Sequence, residues 1–356
     1  MKIFVSTGEV SGDLHLSYLV KEAKELDGSV QFYGVAGKHS KNAGVNIIQD
    51  IDELSIMGFT EAIKKYSYLK NKALEYLEFI KKEEIKKVIM VDYGGFNLKF
   101  LEMLKKEIED IEVFYYIPPK LWIWGEKRIE KLKLADHIMV IFPWEVDFYK
   151  SHGVDAIYYG NPFTERYQNI ERENKSILLL PGSRKQEIKS LMPDFLEIVK
   201  RNKSESYLLK LSSKDHLKWI DEDLTKYSNL EISYDLTLSS AVRKSKIAIA
   251  ASGTVTLELA LLGIPTIVVY KTNFINYFIA KYILNVGFVS LPNLTLNEEV
   301  FPELLQKECN ANEIEKSMKI ILKDLDSVQK DIERIREKLS GTDITKRYAE
   351  FLLKGK

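Results

Sequence analysis

The chain has 356 residues, with Lys+Arg and Asp+Glu both at 52 and a formal net charge of +0. That length points to about two domains, and the balanced charge excludes a generic nucleic-acid binder, which carries a basic excess against phosphate, although a local basic face stays open. Hydrophobic residues at 45% and charged residues at 29% are the values of a globular chain that can bury real cores.

Short β-branched runs alternate with longer helical periodicity, the sequence form of α/β units around a parallel sheet. The pattern predicts a first strand at Ile3-Phe4-Val5 and a helix from about Gly12 to Leu26. Further strands are expected at Gln31–Gly34, Val88–Asp92, Val113–Ile117 and His137–Ile141. Lys131–Ala135 and Glu145–His152 read as helices beside the last of these, and Ala156–Tyr159 closes a first half. The polar text from Thr164 to Lys175 reads as a linker. A second alternation follows, with strands at Ile177–Leu180, Tyr207–Leu211, Leu230–Ser233, Ile247–Ala251 and Thr266–Tyr270. Glu313 to Leu353 reads as almost wholly helical. Two similar halves imply two Rossmann-like domains facing across a cleft, with ligands at the carboxyl ends of the strands.

A single cysteine, Cys309, excludes an internal disulfide framework and a cysteine-only zinc site, and it fits a reducing cytoplasm. The five histidines (15, 39, 137, 152, 216) form no His-x-x-x-His pair, which argues against a metal-ligand cluster. The first residues reach Ser6, Thr7 and Gly8 too soon for a signal peptide. No apolar run approaches the roughly 18 residues of a spanning helix, and the richest, Phe274 to Val286, is interrupted by Asn276, Lys281 and Asn285. The expectation is a cytoplasmic protein, soluble or lying on a membrane surface.

Ala250-Ala251-Ser252-Gly253-Thr254-Val255-Thr256-Leu257-Glu258 runs from a buried strand into a helix. Small residues let a ligand approach the backbone, and Ser252 or Thr254 can cap the helix. The first turn then points N–H groups and a positive dipole end at an anion. Glu258, one turn in, is placed to accept hydrogen bonds from a ribose diol. An ordinary, well-capped junction explains the same letters. Leu180-Pro181-Gly182-Ser183-Arg184 also follows a strand. Gly182 permits a tight turn, and Arg184 offers a forked cation suited to a diphosphate; alone, it could be a solvated surface turn. Two anion-seeking junctions in one half favour a nucleotide-diphosphate site.

In the first half, Gly8-Glu9-Val10-Ser11-Gly12-Asp13 follows the opening strand. Its glycine spacing is not the dinucleotide fingerprint, and its acids would repel a pyrophosphate. Such a loop suits a neutral, hydroxyl-rich acceptor better, through Gly8, Ser11 and Asp13. Asp92 ends another strand before Tyr93-Gly94-Gly95-Phe96-Asn97, where a carboxylate serves either as general base for a sugar hydroxyl or as a helix cap. The Asp-x-Asp pairs at 50/52, 221/223 and 324/326 read as solvated, which favours a metal-free mechanism without cofactor. Ile56, Met57, Phe59, Ile63, Tyr66 and Leu69 lie among Lys64, Lys65, Lys70 and Lys72. This stretch is either a membrane-docking surface or a helix with one buried face. Tyr116, Trp122, Trp124 and Trp144 read as core.

Taken in order, these motifs resemble the lipid-A-disaccharide synthase family, inverting glycosyltransferases of the GT-B fold. The matching stretches are GEVSGD (8–13), YGVAGKHSKNAGV (33–45), ELSIMGF (53–59), VDYGGFN (91–97), KLWIWGEKR (120–128), FPWE (142–145), LLPGSR (179–184), ASGTVTLELALLGIP (251–265), FVSLPNL (288–294) and FPELLQ (301–306). The resemblance implies transfer of 2,3-diacylglucosamine from its UDP donor to 2,3-diacylglucosamine 1-phosphate with inversion. It implies Asp92 as base with Glu9 as a second candidate, and Ser183, Arg184, Ser252, Gly253 and Thr254 on the diphosphate. It also implies Glu258 on the ribose, Asn293 and Gln306 near the donor, and Asn97 with the 8–13 loop on the acceptor side. Residues 1–163 would then form an acceptor and membrane-facing domain, 164–335 a donor domain, and 336–356 a helix returning toward the first. Acylated substrates imply an active site at the inner-membrane surface, and the family implies a homodimer exchanging C-terminal segments.

Where the family carries a proline and often an acid after the aspartate, this chain has Gly94 and Gly95. Pro118-Pro119 replaces Ser-Pro, and Gly160-Asn161 replaces Gly-His. Two of these changes adjoin the acceptor side. A UDP-sugar epimerase of the same fold and a non-catalytic UDP-sugar sensor are the competing readings.

Overall fold

Strands buried on both faces must be apolar throughout, and two segments show this plainly: β4 (Lys87–Val91) and β8 (Ser176–Leu180) are buried at every position. The computed structural model describes residues 1–51, 53, 62–121, 125–271 and 287–355, less the side chains of 62–66 and 126. Its residues form two compact units, Met1–Pro162 with Gly341–Lys356, and Phe163–Ser340.

The first unit holds a seven-stranded sheet in the order β3-β2-β1-β4-β5-β6-β7. The remaining strands are β1 (Lys2–Ser6), β2 (Gln31–Ala36), β3 (Val45–Asp50), β5 (Glu112–Tyr116), β6 (His137–Val140) and β7 (Ala156–Tyr158). Every pairing is parallel. The second unit has a six-stranded parallel sheet, β10-β9-β8-β11-β12-β13. It is built from β9 (Tyr207–Lys210), β10 (Leu230–Ser233), β11 (Ser245–Ala251), β12 (Thr266–Tyr270) and β13 (Glu303–Leu305) beside β8.

Helices cover both faces. In the second unit, Ile177, Leu179, Ile249 and Val269 pack with Leu191 and Phe195 of the Lys185–Arg201 helix and Ile314 of the Ala311–Lys323 helix. Leu178, Leu208 and Ala248 pack the opposite face with Val242 and Leu259. Each fully buried side chain of this size contributes roughly 1.5–3 kcal/mol relative to exposure. Among the described residues, no helix is long and apolar enough to cross a membrane.

The sequence pattern overlooks β3 and β13. Both are sheet edges: β3 alternates buried and exposed positions, and β13 has only three residues, so neither forms the long apolar run that marks a central strand. The polar text after Asn161 is not all linker, because Phe163–Arg166 is a helical turn. The helical C-terminal stretch divides into Ala311–Lys323, Leu325–Leu339 and Ile344–Lys354. The passage between units lies at Ser340/Gly341, beyond the expected 335/336. Arg336 explains this, since its guanidinium donates to the Tyr167 carbonyl at 3.0 Å and to Leu261 O in the second unit. The last helix is held in the first unit by Lys87, whose Nζ donates to Leu352 O and Leu353 O at 2.8 and 3.2 Å. There a cation meets the negative end of a helix. Tyr348, fully buried, donates to Gly160 O at 3.1 Å.

Candidate functional site

Strand order reverses between β1 and β4 in one unit and between β8 and β11 in the other. In open α/β sheets, ligands bind just beyond the carboxyl ends of strands flanking such a reversal. The 8–13 loop and Asp92 follow β1 and β4, while the 181–184 loop and Ser252–Thr254 follow β8 and β11. The topology therefore brings the four sequence motifs together in two pairs, one per unit.

In the first unit, Asp92, Tyr93 and Ile117 have φ of 47°, 51° and 54°. Three non-glycine residues in the left-handed region are a costly arrangement, kept only where the surroundings over-determine it. The restraints are explicit. Asp92 N donates to Ile117 O at 3.1 Å, and the Asp92 carbonyl accepts from Tyr115 Oη and Asn97 Nδ2, each at 2.9 Å. Asn97 also accepts from Ser6 Oγ at 2.6 Å, tying the end of β1 to that of β4. A Cβ on Gly8 would overlap the Tyr93 ring, so only glycine lets the two loops meet. The Asp92 carboxyl is pushed above the usual aspartate range, first by burial and then by the negative charge of Glu9. Lys120 and the Tyr93 N–H act the other way. Glu9 is exposed at the N-cap of the Val10–Leu26 helix, and Ser11 is partly exposed beside it.

In the second unit, Gly182 has φ of 94° and turns the chain after β8. The Ser183 and Arg184 N–H groups then converge on Glu187 Oε2 at 3.1 and 3.2 Å, and Arg184 Nη1 lies 3.4 Å from Glu187 Oε1. Two backbone donors and a guanidinium thus grip an anionic oxygen pair, the chemistry a phosphate requires. The Thr254–Leu261 helix begins at Gly253 with no side-chain cap. This corrects the expectation that Ser252 or Thr254 caps it and leaves the positive helix end to a ligand. Glu258 is partly exposed one turn later, where Tyr167 Oη donates to its Oε2 at 2.5 Å. Burial raises the Glu258 pKa, and the Tyr167 bond and the charge of Lys210 oppose that rise.

Three expected contact residues turn out to be internal braces. Asp13 is 1% exposed, and its carboxylate accepts from the N–H groups of Gly37, His39 and Ser40 at 2.8, 2.9 and 3.3 Å. Asn97 is spent on the β1–β4 join described above. Asn293 is fully buried: its Oδ1 accepts from Val300 N and Phe301 N at 2.9 and 2.8 Å, and its Nδ2 donates to Phe301 O and Glu303 Oε1. All three order loops rather than face a ligand. Gln306 follows β13 with φ of 54°, and its N–H donates to Tyr270 O at 2.8 Å. Of the apolar–basic stretch, Ile56, Met57 and Phe59 lie outside the described residues, as do the side chains of Ile63 and Tyr66. Leu69 packs inward on the first core with Tyr68. Trp122 and Trp124 also lie outside the description.

The departures are partly coupled, since a Cβ on Gly94 would overlap Pro119. Asn161 is fully buried and donates to Ile141 O at 3.2 Å. Reading the sequence alone misses Glu187, Tyr115, Tyr167 and Lys210. Only Glu187 left a signal, three residues after Arg184 at the start of a helix, the spacing of a capping box.

The model of the lipid-A-disaccharide synthetase family matches residues 3–353. A lipid-A-disaccharide synthase of Geobacter metallireducens is 31% identical, over 99% of this chain and 96% of the relative. One of Persephonella marina is 32% identical, over 99% and 98%. Among solved structures, the UDP-GlcNAc 2-epimerase of Neisseria meningitidis bound to UDP-GlcNAc superposes with a TM-score of 0.63 at 12% identity, covering 100% of both chains. The Acinetobacter baumannii MurG does so with 0.60 at 12%, covering 99% of each. At that identity these structures speak for the shared GT-B fold alone. The matches across the full length place this chain in the lipid-A-disaccharide synthase family of glycosyltransferases.

Proposed function

We propose that the chain transfers a 2,3-diacylglucosaminyl group from UDP to 2,3-diacylglucosamine 1-phosphate with inversion, giving the β-linked disaccharide 1-phosphate and UDP. The observation that carries the residue roles is the pairing at the strand-order reversals: a restrained carboxylate in one unit, and an uncapped helix start with an anion-gripping loop in the other. The acceptor's primary hydroxyl gives its proton to Asp92 as its oxygen attacks the anomeric carbon. A carboxylate with a raised pKa is a stronger base for this step, and Glu9 helps to raise it. The bond to the diphosphate breaks with its electron pair leaving on UDP. Arg184, Ser183 and the Ser252–Thr254 helix start stabilise that charge as preorganised donors, while Glu258 holds the ribose and Gln306 borders the donor. Gly8 and Ser11 line the acceptor side.

The test is acceptor dependence. UDP forms only when both acylated sugars are present, falls with a deacylated acceptor, and persists in EDTA. UDP release or sugar interconversion without acceptor would instead make the protein an epimerase or hydrolase. Both substrates carry acyl chains, which supports docking of Ile56, Met57 and Phe59, with the neighbouring lysines, on an anionic membrane surface. Met57→Asp should then reduce co-sedimentation with phosphatidylglycerol vesicles, and equal sedimentation would refute that surface.

A further inference from the structure

We propose that Tyr167 is a positioning residue for nucleotide recognition: its hydroxyl holds one oxygen of the Glu258 carboxylate, leaving the other to accept from the ribose diol of the donor. The proposal rests on the ribose-binding reading of Glu258 and adds to it the element that aims the carboxylate.

A glutamate left to itself loses rotamer freedom when it grips a ligand. One held beforehand does not bear that cost at binding. Here the holding contact is short, 2.5 Å from Tyr167 Oη to Glu258 Oε2, as expected when a hydroxyl donates to a carboxylate. Tyr167 is itself immobilised from several sides. Its carbonyl accepts from Arg336 Nη1 at 3.0 Å, and the other nitrogen of the same guanidinium donates to Leu261 O, at the far end of the Glu258 helix. Three residues on, Ile170 N donates to Leu262 O at 3.3 Å. Asn169 lies directly over Gly263, where a Cβ would overlap its side chain. The Tyr167 ring stands edge-on to Phe163 with centroids 5.3 Å apart. The segment around Tyr167 is therefore fastened to the C-terminal end of the Thr254–Leu261 helix, while its hydroxyl reaches back to Glu258.

Lys210 completes the group from the carboxyl end of β9. It is partly buried, and its attraction to Glu258 opposes the burial that disfavours both charges. Glu258 is partly exposed, so a ligand can reach it.

The experiment compares binding of UDP and 2′-deoxy-UDP by titration calorimetry, together with donor KM and kcat, in the wild type, Tyr167→Phe and Glu258→Gln. A hydrogen bond to a charged group predicts that the wild type prefers UDP by about tenfold or more. Tyr167→Phe keeps the ring and should cut that preference by about threefold to tenfold, raising donor KM by a similar factor with a much smaller change in kcat. Glu258→Gln should nearly abolish the preference. If Glu258→Gln loses it while Tyr167→Phe keeps both preference and KM, Tyr167 merely packs; the proposal falls and the ribose reading stands. If Glu258→Gln keeps the preference, the ribose reading falls and takes the proposal with it. Should Tyr167→Phe melt well below the wild type, Tyr167→Gln, which keeps a hydrogen-bond donor there, carries the same comparison and must retain part of the preference.

Discussion

The ends of β1 and β4 and the ends of β8 and β11 occupy equivalent places in their sheets, yet their chemistry is opposite. In the first unit the chain bends through three left-handed non-glycine residues, and hydrogen bonds from Asn97 and Tyr115 hold the bend. What it presents is a carboxylate crowded by another acid. In the second unit the loop after β8 turns on Gly182, and its N–H groups converge on an oxygen of the chain's own Glu187. One strand-order reversal thus supplies a base and the other a cradle for negative charge. The difference lies in whether side-chain oxygens or main-chain N–H groups point outward at the strand end.

The largest effect that would test this contrast is expected from Asp92→Asn, which should lower kcat/KM by about 10²–10⁴ if the carboxylate is the base. An unchanged rate removes it from the mechanism. The same variant has a stability signature of known sign. Burial and Glu9 raise the folded-state pKa of Asp92, so its ionised form costs stability above that pKa and costs nothing once pH falls below the ordinary aspartate range. Asp92→Asn should therefore raise Tm at neutral pH, with the gain fading in acid. A variant that loses both activity and stability at neutral pH would show that the carboxylate serves the fold instead.

On the other side, Arg184→Met should cost about 10²–10³ in rate if the guanidinium acts as a preorganised donor to the departing diphosphate. Single-turnover UDP release checks this, and an effect under threefold would leave the cradle to the backbone alone. Asn293→Ala strands the N–H groups of Val300 and Phe301 in a buried loop. It should lower stability by about 1–3 kcal/mol in urea melts, whereas no change would mean the loop has another anchor. The smallest effect belongs to Glu9→Gln. Removing its charge removes one cause of the raised Asp92 pKa, so the acid limb of kcat/KM should move to lower pH. A limb that stays in place would separate the two acids electrostatically.

Much of the site was legible because its signals are local. The 8–13 loop, Asp92, the 181–184 turn and the Ser252–Thr254 junction each follow an apolar run that must be a buried strand, and parallel α/β topology places ligands beyond such ends. Chemically plausible side chains at those ends were harder to sort. Asp13, Asn97 and Asn293 look like ligand contacts in the sequence, but each satisfies buried backbone groups. A buried polar group must find partners, and its partners need not be its neighbours in the chain.

What the sequence determined by itself was the alternation of buried strands and amphipathic helices, the loops between them, and from the ordered motifs the family. Those follow from the spacing of apolar residues and from backbone preferences, which act over a few positions. Tertiary structure alone decided which polar groups are spent inside. It also matched Gly94 to Pro119 and set Tyr167 against Glu258, 91 positions away. The reason is geometric: a hydrogen bond depends on distance and angle in space, and only the packed sheets bring such distant residues within reach.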